Sequence, residues 1–279
     1  MRQISTQAIV DAVKDASIQA NFELGEDVVQ ALRGSLEYEE SQVGKEIIEK
    51  LLENARIARD ERIPICQDTG LAVLFVELGQ DVSLKGGGLH QALEEGVRQG
   101  YKEGFLRNSV CHPFTRKNTG DNTPIIVHLD LVSGDSLKIW VVPKGGGSEN
   151  MSRLFMLPPS AGWGGVKDKV VQTVVEAGPN PCPPTIVGVG IGGNFEQSAL
   201  LAKKSLLRPL GSPNPDSELG EMERELLEEI TRTGIGPQGL GGRVTSLAVH
   251  ILMMHCHIAS LPLAVNIQCH ASRHVEIVL

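Results

Sequence analysis

The spacing of apolar residues changes at Pro64, and that change restricts the fold of this chain more than any other feature. Before it, Val43, Ile47, Ile48, Leu51, Leu52, Ala55 and Ala58 fall on one stripe at three- and four-residue spacing, so residues 1–60 read as a helical N-terminal region. After it come short runs such as LAVLFVEL (71–78). Residues 123–131 and 136–143 alternate apolar and polar around Ser133-Gly134-Asp135, the pattern of an antiparallel hairpin. Helical spacing returns at 90–104, 163–177, 195–207 and 217–233, and strand-like runs at 184–189, 244–257 and 261–269. A helical lead-in, a mixed sheet and flanking helices make a mixed α/β (α+β) chain: residues 1–60 helical, 61–279 the mixed α/β domain, the whole one compact unit. At 279 residues and 41% hydrophobic, such a core is affordable.

A formal net charge of -8 with no dense Lys/Arg block argues against nucleic acid or an anionic membrane as partner. The N-terminus lacks the tripartite pattern of a signal peptide, and no apolar run reaches the roughly 18 residues of a membrane helix, so a cytoplasmic location is expected. Five cysteines, an odd number, suit metal binding or free thiols better than a disulfide framework.

The 31 glycines are clustered at 86–88, 145–147, 162–165, 188–193 and 234–242, as in loops that surround something, and LRPLGSPNPDSELG (207–220) reads as a surface excursion. Three cysteines lie in Pro-, Gly- or polar-rich surroundings: PICQDTG (64–70), NPCPPTIVGVGIGG (180–193) and NIQCHASRH (266–274). Three thiolates on rigid turns would leave one iron of a cubane cluster without a protein ligand. Their wide spacing alone does not distinguish a shared metal site from separate thiols.

Those three motifs, with FLRNSVCHPFTRKNTGDNTP (105–124) and KGGGSENMS (144–152), resemble in content and order the class I fumarate hydratases and the related L-tartrate dehydratases, over nearly the whole chain. The resemblance is to the alpha subunit of the two-subunit form or, equivalently, to the N-terminal domain of the single-chain form. The resemblance implies that Cys66, Cys182 and Cys269 hold a 4Fe-4S cluster whose fourth iron lacks a protein ligand. It further implies that Gln67, Asp68, Arg107, Gly146 and His257 grip a small dicarboxylate, with Asp68 as the acid/base group. Arg107 offers a bidentate fork, and the amides of Gly145-Gly146-Gly147 can form an anion nest. The implied activity is reversible hydration of fumarate to L-malate, with L-tartrate dehydration as the alternative. Because the chain stops at Leu279, soon after the third cysteine, a separate beta subunit is expected to complete the site within a dimer of alpha-beta pairs.

Other readings compete. Gly188-Val-Gly190-Ile-Gly-Gly193 matches the GxGxxG of a dinucleotide-binding turn, although no second strand follows the next helical segment. His255, His257 and His270 near Cys256 and Cys269 suggest zinc, without the usual ligand spacing. Cys111 and Cys256 read as small buried hydrophobes. No GxxxxGK[ST] occurs. A structural or iron-sensing scaffold without catalysis is the non-enzyme alternative.

Overall fold

A computed structural model describes residues 1–279. In chain order the elements are β1 (Arg2–Ser5), α1 (Thr6–Phe22), α2 (Glu26–Ser35), α3 (Gln42–Glu61), β2 (Leu71–Gly79), β3 (Val82–Lys85), α4 (Leu89–Glu103), β4 (Ile126–Val132) and β5 (Leu137–Lys144). They continue with α5 (Gly146–Glu149), β6 (Arg153–Leu157), α6 (Gly162–Ala177), β7 (Thr185–Gly193), α7 (Phe195–Ser205), α8 (Ser217–Arg232), β8 (Ser246–Cys256), β9 (Leu261–Gln268) and β10 (Val275–Val278). The chain is mixed α/β with N-terminal helices. It divides into two units: Met1–Gly25, Asn54–Gly146 and Arg273–Leu279 form the first, Glu26–Glu53 and Gly147–Ser272 the second.

In the first unit a four-stranded sheet, ordered β10-β5-β2-β4, is packed by α1, and α4 lies against α1. Ser5 caps α1 by accepting the Ala8 amide at 3.1 Å. Ile9, Val13 and Ala16 then recur on its inner face beside Leu93 and Val97 of α4 and Leu74, Leu137 and Ile139 of the sheet. Residues 126–132 and 137–144 are strands, as their alternation predicts, but they do not pair with each other. β2 lies between them, parallel to β4 and antiparallel to β5. The reason is the continuous run Ala72–Val76, buried throughout, which takes a central position with neighbours on both edges. The end of β2 bonds into the crossing loop: the amide of Gly79 donates to Ser136 O and that of Asp81 to Gly134 O, both at 2.9 Å.

The second unit is built on a sheet ordered β6-β9-β7-β8. All of β7 but its last residue is buried, and its two faces differ. Val187, Val189 and Ile191 join Val166, Val170 and Val174 of α6 and Leu226 and Ile230 of α8 in one core. Gly188 and Gly190, on the other face, lie against α7: a Cβ on Gly190 would stand 2.1 Å from Ser198 O, and one on Gly188 2.2 Å from Ala202 O. The GxGxxG match is therefore a strand whose alternate residues are glycine so that a helix can pack closely, not a nucleotide-binding turn.

Glu39, 1% exposed, ties the end of α2 to the loop before β8. Its carboxylate accepts the amides of Ser41 at 2.8 Å, Val244 at 2.8 Å and Arg243 at 3.0 Å. Burial pushes the Glu39 carboxyl up, but the amides of Val244, Ser41, Arg243 and Glu40 outweigh it and hold the group below its usual range. A depressed folded-state value means stability that is present above the unfolded value and lost as pH falls through the folded one. Glu39→Gln is expected to cost about 1–3 kcal/mol at pH 7 and to reduce the acid-dependent part of the loss, read from thermal melts at pH 7 and pH 4. An unchanged melting temperature at both would count against this tie.

Candidate functional site

In the first unit the segment Cys66-Gln67-Asp68 follows α3 as an irregular bend. The sulfur of half-buried Cys66 accepts the Asp68 amide at 3.4 Å, and as a thiol it donates to Gln67 Oε1 at 3.2 Å. The Asp68 side chain is anchored at both oxygens: Oδ1 accepts the Gly70 amide at 3.0 Å and Oδ2 the Gly146 amide at 2.7 Å. Of the glycine amides expected to form a nest for a ligand anion, that of Gly146 thus engages the protein's own carboxylate. A Cβ on Gly145 would lie 3.1 Å from Asp68 Oδ2, a tight contact that a shift of a few tenths of an ångström in the carboxylate would relieve.

Arg107 stands on the long loop between α4 and β4. Asn122, fully buried, fastens that loop by accepting the Ser109 and Val110 amides at 2.7 and 3.2 Å and donating to Gly70 O at 3.2 Å. Thr69 Oγ1 donates to the Arg107 carbonyl at 2.8 Å, so Arg107 is held beside the Cys66–Asp68 segment by its backbone. Its exposed guanidinium makes no hydrogen bond or ion pair and remains available to an acid. Beneath the loop, the buried Tyr101 hydroxyl donates to Thr69 O at 2.6 Å. Burial pushes the Tyr101 phenol up, keeping it a donor. Cys66, Gln67, Asp68, Arg107 and Gly146 are therefore brought together in this unit.

In the second unit Cys182 and Cys269 flank one end of the sheet, because Cys182 precedes β7, Cys269 follows β9, and these strands are antiparallel with Ile186 opposite Gln268. Cys182 sits at φ 56°, in the left-handed region that a non-glycine residue rarely adopts. His270, next to Cys269, contacts the Cys182 carbonyl through Nδ1 at 3.0 Å. Gln238 donates to Pro183 O through its amide at 2.8 Å and its side chain at 2.7 Å. The turn carrying Cys182 is thus clamped from two sides.

His257 is not part of this grouping. It begins the turn after β8, a strand parallel to β7 that pairs Cys256 with Gly193, so it lies at the opposite end of the sheet, roughly 25–30 Å from the cysteines at ~3.3 Å per residue. Its ring Nδ1 accepts the Ala259 amide at 3.1 Å, which leaves the proton of the neutral ring on Nε2 as an outward donor. Cys256 is exposed and Cys111 half-buried, so neither is the buried hydrophobe expected. Within neither unit do three or more His, Cys, Asp or Glu side chains gather closely enough to hold a single metal ion.

The donor set fits a thiolate-held cluster. All five cysteines are reduced thiols, the sulfur of Cys66 already receives a backbone amide, Cys182 sits on a restrained turn before β7, and Cys269 directly follows β9.

A sequence profile of the fumarate hydratase (Fumerase) family matches residues 10–278. The chain belongs to this family. Among fumarate hydratase family relatives, a Methanocaldococcus jannaschii protein named "Putative L(+)-tartrate dehydratase subunit alpha" is 42% identical over 274 residues, covering 95% of each chain. The L(+)-tartrate dehydratase subunits alpha of Escherichia coli UTI89 and K12 are 34% and 33% identical over 276 residues, covering 98% of this chain and 91% of theirs. No helix of this family member is long and apolar enough to cross a membrane. Gln238 and Arg273 are additions that sequence reasoning missed. Arg273 lies within NIQCHASRH, but only its burial, 4% exposed, marks it out.

Proposed function

We propose that the chain is the cluster-bearing alpha subunit of a hydro-lyase that converts L-tartrate to oxaloacetate, completed by a separate beta subunit. The supporting observation is near end-to-end similarity to proteins named as tartrate dehydratase alpha subunits. This reverses the order expected from sequence alone, where fumarate came first. When bound to Cys66, Cys182 and Cys269, a 4Fe-4S cluster supplies a Lewis-acidic iron without a protein ligand, suited to the departing hydroxyl.

Asp68 handles the substrate proton, its carboxylate preset by the Gly70 and Gly146 amides so that little reorganisation accompanies transfer. Arg107 clamps one substrate carboxylate and Gln67 donates beside it. Loss of water from one carbinol carbon and a proton from its neighbour gives the enol of oxaloacetate, which tautomerises. His257, placed at the far end of its sheet from Cys182 and Cys269, serves a site to which another chain contributes, in keeping with a dimer of alpha-beta pairs.

The test is turnover by the anaerobically reconstituted chain, with and without its cognate beta subunit, on L-tartrate and on L-malate. The expected result is no turnover alone and, with the partner, kcat/KM for tartrate at least about 10-fold above that for malate. A preference for malate would return the assignment to fumarate hydration. Full activity without a partner would refute the two-subunit reading.

A further inference from the structure

Arg273 is the least satisfied charged group in the protein. It is 4% exposed, and its Nη2 donates to the Asp68 carbonyl at 2.5 Å. Nε and Nη1 are fully buried with no hydrogen-bond partner. No carboxylate neutralises it: Asp68 is its near neighbour, yet both Asp68 oxygens are committed to backbone amides, and Arg273 forms no salt bridge. A buried guanidinium lacking both a counter-charge and two hydrogen-bond partners is strongly unfavourable. Such a group signals an anion that the polypeptide does not supply.

The surroundings identify that anion. The residue whose carbonyl Arg273 holds is the one whose amide donates to the Cys66 sulfur, and Arg273 follows Cys269 by four residues in the chain. A 4Fe-4S core on three thiolates is net anionic, and its sulfurs accept hydrogen bonds that tune its potential. We infer that Arg273 is a positioning residue for the cluster, fixing the Asp68 loop through Nη2 and setting its buried, otherwise uncompensated charge against that of the anionic core. This rests on the cluster assignment proposed above.

The test compares wild type with Arg273→Gln and Arg273→Lys in the anaerobically reconstituted chain, without substrate. It scores iron per chain and the midpoint potential of the cluster by spectroscopic titration. Removing a nearby positive charge disfavours the reduced, more negative cluster, so Arg273→Gln is expected to shift the potential to a more negative value and to lose iron faster in air. Arg273→Lys keeps the charge and should lie between Gln and wild type. Should Arg273→Gln prove insoluble, Arg273→Met, which fills the volume of the stem, is subject to the same expectation. A cluster with wild-type potential and iron retention in the neutral variants would overturn the inference. Failure of the wild type to bind iron would instead remove the cluster assignment itself.

Discussion

Asp68→Asn is expected to lower kcat for dehydration by roughly 10²- to 10⁴-fold while leaving the iron content of the reconstituted chain unchanged. The substitution preserves volume and removes the group that handles the proton. It also disturbs the anchor, because an amide presents one oxygen and one NH2 where two backbone amides, those of Gly70 and Gly146, require acceptors. The Cys66 sulfur is spared, since its partner is the backbone amide of residue 68 and not the side chain. Activity within about threefold of wild type, in a variant with full iron, would remove Asp68 from the chemistry. The measurement is steady-state kinetics on the complete alpha-beta enzyme, paired with an iron assay.

The second large effect concerns packing. Gly190→Ala should destabilise the fold by about 4 kcal/mol or more, because its Cβ would lie 2.1 Å from Ser198 O and 2.5 Å from the Ala202 nitrogen, both backbone atoms of α7. Relief requires α7 to move off the sheet, with loss of the contacts that Ala202 makes against β7. Gly164→Ala in α6 is the control, since nothing lies within 4 Å of its added Cβ. Higher helix propensity should make that change neutral or stabilising by up to about 1 kcal/mol. Circular dichroism melts of the two variants separate the expectations, and equal melting temperatures would contradict the close-packing account of the glycines in β7.

What the sequence revealed and what it concealed follow from the range of the interactions involved. The helices α6, α7 and α8 were legible because each is an amphipathic stretch whose apolar stripe is local, and α7 and α8 are also capped locally by Asn194 and Asp216. Strands β4 and β5 were legible as strands, yet their partner was not, since insertion of β2 between them depends on a buried run some fifty residues earlier. Gly188 and Gly190 looked like a phosphate-binding turn because the same residue type answers two demands, backbone approach to a ligand and to a helix. At the site, Cys66, Asp68 and Arg107 were found through motif resemblance, and the structure adds how Thr69 and Asn122 hold them together. His257 came by the same route, but strand order places it away from Cys182 and Cys269, a consequence of topology that no local pattern encodes. Arg273 carried no signal beyond its presence in a motif, because burial without a counter-charge is visible only in three dimensions.

The most direct test of the central claim is the iron content and absorption spectrum of the anaerobically reconstituted chain and its single Cys→Ser variants. Four irons should bind the wild type, and each of Cys66→Ser, Cys182→Ser and Cys269→Ser should abolish the cluster, while Cys111→Ser and Cys256→Ser retain it. A wild type that binds no iron, or a cluster that survives loss of any of the three cysteines, would contradict the account.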